Sequence, residues 1–146
     1  MAATAPARIP LPALMLGAGG LIPFMGGAAL HTLTHDPRWL PLLSGYGAVI
    51  LSFVGALHWG YAVRDEPHGA SAWWRYGWSV LPALMAWVCL MLAGTVQALA
   101  LATGLIICLV VDEAFARSVC MPPWLMPLRR LLTAGGALSL LVAGVA

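Results

Sequence analysis

The sequence predicts an all-α membrane protein: a compact bundle of five transmembrane helices with the N-terminus cytoplasmic and the C-terminus outside. Four long stretches contain no Asp, Glu, Lys or Arg, namely residues 9–35, 39–63, 76–111 and 131–146. Hydrophobic residues make up 62% of the chain and charged residues 8%, against about 45–50% and about 25% in soluble domains. Because a charge at the bilayer centre costs about 2.5–3.5 kcal/mol on insertion scales, such exclusion indicates helices that cross lipid.

The first two spans are predicted at residues 11–33 and 41–63. Each has about the 20 residues that cross a hydrocarbon core of about 30 Å at a rise of 1.5 Å per residue. Pro23 lies inside the first span, where it removes one backbone hydrogen bond and favours a kink.

The third uncharged stretch, residues 76–111, is too long for one crossing even when tilted. It is therefore divided at residues 94–97 (GTVQ), whose Gly, Thr and Gln are compatible with a tight hairpin. The division predicts a third span at residues 77–93 and a fourth at residues 97–111.

The last span is predicted at residues 128–146, with Arg129 and Arg130 reaching the membrane surface at its start. Five spans place six arginines on one side of the membrane and only Arg38 on the other. This asymmetry follows the positive-inside rule, whereas four spans would divide the arginines almost evenly, three against four. The whole chain, residues 1–146, is thus predicted to form a single transmembrane domain.

Composition and motifs exclude several functions. The net charge of +2, with no basic run, argues against a nucleic-acid partner. Cys89, Cys108 and Cys120 form no Cys-x-x-Cys pair and are expected to remain free thiols. The chain has no Gly-x-Ser-x-Gly, His-Glu-x-x-His or phosphate-binding glycine loop, which favours a non-catalytic protein over an enzyme.

Small residues recur at every fourth position of three predicted spans. Such spacing lets helix backbones approach closely in lipid, either within the bundle or between copies of the chain. The three sets are Ala48, Ser52, Ala56 and Gly60; Ala100, Gly104, Cys108 and Asp112; and Gly135, Ser139 and Ala143.

Ionisable residues collect at the predicted cytoplasmic helix ends. His58 lies about a turn inside the second span, and Asp112 closes the fourth at the same depth. Arg75 opens the third span and Arg129 the fifth, while Trp87 is the one tryptophan predicted deep in the membrane. Ionisable groups at such depths usually face the bundle interior and pair with one another.

Three interpretations of these five residues remain open. They form a structural network of ion pairs and hydrogen bonds, a polar pocket for an anionic or quinone head group, or a proton-relay or transport site that uses His58 with Asp112. A weaker candidate is the pair His31 and His35, which would share one helix face and bind a metal if the first helix continued through both. No other metal site and no obligatory cofactor are predicted.

Several segments together resemble the membrane protein family called domain of unknown function 3429. They are residues 20–24 (GLIPF), 46–48 (YGA), 51–60 (LSFVGALHWG) and 79–87 (SVLPALMAW), then Asp112, residues 123–124 (PW), 128–129 (LR) and 132–133 (LT). The resemblance covers nearly the whole chain. Two residues depart from the family pattern, since Ala83 stands where Ser is expected and Leu125 where Tyr is expected.

The resemblance implies a membrane protein without an established biochemical activity, in a family that includes an animal mitochondrial transmembrane protein. It also implies that Arg can replace His58, which suits an ion-pair partner of Asp112 better than a metal ligand.

The residue patterns and the family resemblance together favour a non-catalytic accessory, assembly or structural component of a membrane complex. That membrane would be a bacterial inner membrane or a mitochondrial inner membrane. Its partners would be lipids and either another membrane protein or further copies of itself. The alternative is a lipid- or quinone-binding protein, a carrier or an intramembrane enzyme, with its pocket at the cytoplasmic helix ends.

Overall fold

The structure, a computed structural model, describes residues 8–119 and 121–146, and Cys120 lies outside these ranges. The described residues are helical and form no strand, which confirms the predicted all-α class. The helices are α1 (Leu11–Gly19), α2 (Leu21–Thr34), α3 (Trp39–Asp65), α4 (Ala70–Cys89), α5 (Gly94–Phe115) and α6 (Leu125–Val145).

Four segments of the described chain are long and apolar enough to cross a membrane: α1 with α2, then α3, α5 and α6. Helix α4 is not among them, because residues 73–76 (WWRY) lower the hydropathy of its first half. At 20 residues it is nevertheless about 30 Å long, and it makes the most extensive helix–helix contact of the bundle, with α3.

The first span, predicted as one helix over residues 11–33, is divided at Gly20. Pro23 has no N–H to continue the hydrogen-bond ladder, and the Gly20 N–H donates to the carbonyls of Leu16 and Gly17, both at 3.0 Å. The Tyr46 hydroxyl on α3 donates to the Gly20 carbonyl oxygen at 2.9 Å. A neighbouring helix thus supplies a partner to an interrupted backbone, as a non-aqueous environment requires.

The α4–α5 hairpin lies slightly earlier than predicted. The chain reverses over residues 90–93, and α5 begins at Gly94, whose φ of +58° is readily available only to glycine. Gln97, predicted at the edge of this turn, lies in the first turn of α5 and donates from Nε2 to the Leu90 carbonyl oxygen at 3.5 Å. The other helix ends are within a few residues of the predicted ones, except that α4 begins at Ala70 instead of residue 77.

Glycines mark the closest approaches between helices. A Cβ at Gly55 would lie 2.7 Å from the Pro82 ring, so α4 packs its proline directly on the α3 backbone. A Cβ at Gly104 would lie 2.8 Å from Leu51, and one at Gly136 would lie 3.1 Å from the Phe24 ring. In the bundle interior, glycines therefore leave gaps on the helix surface (glycine notches), and larger side chains of neighbouring helices fill them.

The predicted small-residue sets are only partly buried. Gly104, Cys108 and Asp112 on α5 and Ser139 and Ala143 on α6 lie in the interior. On α3, Ala48 is buried but Ala56 and Gly60 are exposed, and nothing lies within 4 Å of a Cβ placed on Gly60. The C-terminal half of the α3 set thus faces the surroundings of the bundle.

Candidate functional site

Three helices bring side chains to one buried carboxylate. His58 on α3 and Arg129 on α6 both contact Asp112 on α5, and the three residues are 4%, 7% and 5% exposed. His58 Nε2 lies 2.7 Å from Asp112 Oδ1, where its N–H donates to the carboxylate. Arg129 donates to Asp112 Oδ2 from Nε at 2.8 Å and also from Nη2. Both carboxylate oxygens are therefore occupied.

Packing at the contact between His58 and Asp112 leaves no space for a ligand of appreciable size. The His58 ring meets the Phe115 ring edge to face, with centroids 4.8 Å apart, and the Trp74 ring stacks on Phe115 with centroids 6.4 Å apart. The void that is lined by all three polar side chains has a volume of about 10 Å³. That is about the space of one water molecule.

Two of the five predicted residues do not join the triad. Arg75 contacts Asp65 through Nη2 at 2.6 Å and the Tyr61 carbonyl oxygen at 3.4 Å, so it connects α4 to the end of α3. Trp87 is 60% exposed on the outside of α4. The structure thus brings together His58, Asp112 and Arg129, whereas Arg75 and Trp87 belong to other surfaces.

A second ion pair lies beside the first on the same two helices. Arg130 donates to Glu113 from Nε at 2.5 Å and from Nη2 at 2.9 Å. Because Glu113 and Arg130 are the chain neighbours of Asp112 and Arg129, α5 and α6 are joined by one buried and one exposed pair. Sequence reasoning missed this second pair, although the adjacent acidic and adjacent basic residues were its signal.

Phe115 is the other residue of the site that sequence reasoning missed. Its place three residues after Asp112 puts it one turn further on the same face of α5. The spacing of three residues from Asp112 was the sequence feature from which Phe115 could have been predicted.

His31 and His35 do not share a helix face. Helix α2 ends at Thr34, and His35 has a left-handed φ of 52°, so the condition for the metal pair is not met. His31 Nδ1 lies 3.4 Å from the Asp36 carbonyl oxygen. The Arg38 guanidinium holds the pKa of the Asp36 carboxyl below its usual value, through a contact of 2.7 Å. No group of three or more His, Cys, Asp or Glu side chains that could hold a metal occurs within residues 8–119 and 121–146.

Cys89 and Cys108 are free and buried, as expected for small apolar side chains in helices. The predicted free thiol of Cys120 lies outside the described residues.

Apolar helices around a central ion-pair triad define an integral membrane helical bundle. The chain matches the family described as "Protein of unknown function (DUF3429)" over residues 9–145, and it belongs to that family. It is 36% identical to Transmembrane protein 69 of Xenopus tropicalis over 135 residues, 90% of this chain and 53% of the frog protein. It is 29% identical to Transmembrane protein 69 of Mus musculus over 86 residues, 56% of this chain and 34% of the mouse protein. The chain thus spans about half the length of the frog relative.

No solved structure matches the chain. The predicted family resemblance is confirmed, and so is the membrane class. The segments that carry the resemblance also contact one another in the bundle: Tyr46 with Gly20, Pro82 with Gly55, and His58 with Asp112.

Proposed function

We propose that this chain is a non-catalytic structural or assembly component of a membrane protein complex, in a bacterial or mitochondrial inner membrane. The observation that carries the proposal is the use of the ionisable interior for direct helix–helix contacts. Asp112 is shared between His58 and Arg129, and the void that is lined by all three side chains has a volume of about 10 Å³. That space suits one water and no head group, which favours the structural interpretation over a ligand pocket or transport site at this place.

The proposed orientation has the N-terminus on the arginine-rich side and five crossings, with α4 as the third. Two features of α4 support its crossing. Only residues 66–69 separate α3 from α4, and such short connections join antiparallel neighbours. In addition, Pro82 packs on Gly55 well inside both helices, so α4 follows α3 into the membrane.

The proposed contact surface for a partner lies on the cytoplasmic half of α3. Ala56 and Gly60 are exposed there, and Trp59, 49% exposed, lies between them in the sequence. A helix of a second membrane protein, or of a second copy, can approach closely at such small residues and bury the neighbouring indole.

Pull-down from a mild detergent tests the proposal. The wild-type chain should recover a stable membrane partner or an oligomer, and Gly60→Leu should abolish the recovery because the leucine occupies the contact surface. Gly26→Leu on α2 is the matched control, since nothing lies within 4 Å of a Cβ at Gly26 either. A strictly solitary monomer, or equal loss with both variants, contradicts the proposal.

A further inference from the structure

A second, mostly apolar cavity is also lined by Arg129, but not by His58 or Asp112. It forms where α1 and α2 meet, and its other walls come from α3, α5 and α6. Its volume is about 130 Å³, and it is partly open to the outside of the bundle. A protein cavity of about 150 Å³ lined by Leu, Ile and Phe binds benzene. This cavity therefore has room for a ring, with substituents in the mouth.

Two polar side chains line this otherwise apolar space. Thr133 is only 5% exposed, and its side chain lines the cavity. Arg129 lies one turn before Thr133 and also lines the cavity. A guanidinium carries five N–H donors, and Asp112 accepts from two of them in the described structure.

Charge and depth restrict the chemistry of an occupant. Asp112 already balances the charge of Arg129, so the wall offers hydrogen-bond donors without a net positive charge. Gly20, Val54, Leu105 and Thr133 line the cavity near the middle of their spans, and Arg129 lines it from the second turn of α6. The ester oxygens of glycerolipids lie at the membrane surface, about 15 Å from the midplane. A neutral, lipid-soluble ring with a carbonyl oxygen fits better than an anionic lipid.

We infer that this cavity binds the head group of a quinone, with a carbonyl oxygen accepting a hydrogen bond from Thr133 or Arg129. The inference goes beyond the proposed function and does not depend on it, because the ligand would occupy this cavity and leave the triad intact. Its tail would leave through the mouth into the lipid.

Thermal unfolding in detergent with added decylubiquinone tests the inference. Bound ligand at 100 times its Kd shifts the unfolding equilibrium about 100-fold, so the Tm should rise. Val54→Phe fills the cavity from a residue 4% exposed and should abolish the rise. Val49→Phe is the matched control on α3, because Val49 is 63% exposed and outside the cavity.

Thr133→Val keeps the shape of the wall and removes the hydroxyl. It should weaken decylubiquinone binding about 2- to 10-fold, the range of one uncharged hydrogen bond. Thr103→Val, at an exposed position of α5, should leave binding unchanged. This second pair keeps the test decisive if Val54→Phe does not fold, which circular dichroism would show.

Two comparison compounds test which chemical class of ligand the cavity binds. Decylbenzene has the ring and tail without the oxygens, so an equal rise in Tm would overturn the quinone assignment in favour of apolar filling alone. A larger rise with palmitate would overturn it in favour of a fatty acid. No rise with decylubiquinone, or the same rise in Val54→Phe, would show that the cavity is not the site. Partner recovery in the pull-down is a separate measurement, so either idea can fail alone.

Discussion

Asp112 is the residue on which the interior depends most. It is the shared acceptor of a histidine and an arginine from two other helices, and all three are nearly inaccessible. A buried pair of this kind contributes little net stability against an apolar replacement, but removal of one partner leaves a charge without compensation. We therefore expect Asp112 to specify which helix faces meet.

Asp112→Asn should lower the free energy of unfolding by about 3–5 kcal/mol, because Arg129 then remains buried without a counter-charge. Glu113→Gln is the matched control, since Glu113 belongs to the exposed pair with Arg130 and should barely change the midpoint. Unfolding in mixed detergent micelles, followed by circular dichroism, measures both.

The double variant Asp112→Leu with Arg129→Met adds a second check. It should be more stable than Asp112→Leu alone, because no unpaired charge remains. A double variant as unstable as the single one would contradict the assigned role of the pair.

At the residue scale, the sequence indicated how deep in the membrane each ionisable side chain lies, but not which neighbour it faces. His58, Asp112 and Arg129 were expected at one level because each lies at a similar distance from a helix end, and they do meet. Arg75 was expected at that level too, yet it pairs with Asp65. Which face of a helix end points at a given neighbour depends on how the helices pack. Hydrophobic periodicity does not reveal that packing when nearly every residue is apolar.

At the scale of the helices, two kinds of contact join neighbouring elements. One is the packing of larger side chains against glycines, and the other is a hydrogen bond from a tyrosine hydroxyl to the carbonyl at the break between α1 and α2. Gly55 receives Pro82, and Gly20 receives the Tyr46 hydroxyl. The break itself was only half foreseen, because Pro23 predicted a kink while the division falls at Gly20. The missing N–H of a proline affects the carbonyl one turn earlier, so the irregularity appears on its N-terminal side.

Gly55→Ala should destabilise the bundle by about 1–3 kcal/mol, because its methyl group would overlap the Pro82 ring. Gly60→Ala on the same helix meets open space and should be neutral or slightly stabilising. The same unfolding assay compares the two, and equal effects would show that Gly55 is not a contact point.

Tyr46→Phe should destabilise the bundle by about 1–3 kcal/mol, since the Gly20 carbonyl loses its donor in an apolar environment. Hydrogen exchange should increase in α1, which buries none of its residues. Tyr76→Phe serves as the control, because the Tyr76 ring meets Trp59 edge to face and this contact survives loss of the hydroxyl. Unchanged exchange in α1 would contradict the role given to Tyr46.

For the whole molecule, the class of fold follows from composition, whereas the number of crossings follows from the contacts between helices. Long uncharged stretches predicted helices at α1–α2, α3, α5 and α6, and the structure has them. Helix α4 is harder to assign because Trp73, Trp74 and Arg75 resemble a membrane surface. Its assignment depends on its contacts with α3, which no hydropathy profile contains.

Cysteine accessibility decides whether α4 crosses. In a chain whose own cysteines are replaced, His68→Cys and Leu92→Cys lie beyond opposite ends of α4. A membrane-impermeant maleimide should label them from opposite sides of a sealed vesicle. Labelling from one side would remove the fifth crossing, and the predicted orientation with it.

The adjacent pairs Asp112–Arg129 and Glu113–Arg130 fix the vertical register and rotational setting of α5 against α6. Successive residues point about 100° apart around a helix, so a shift of one position would turn Glu113 inward and carry Asp112 towards the surface. An insertion within either helix would misalign both bridges at once. Evolutionary changes in length are therefore expected in the 116–124 connection and not in the helices that it joins.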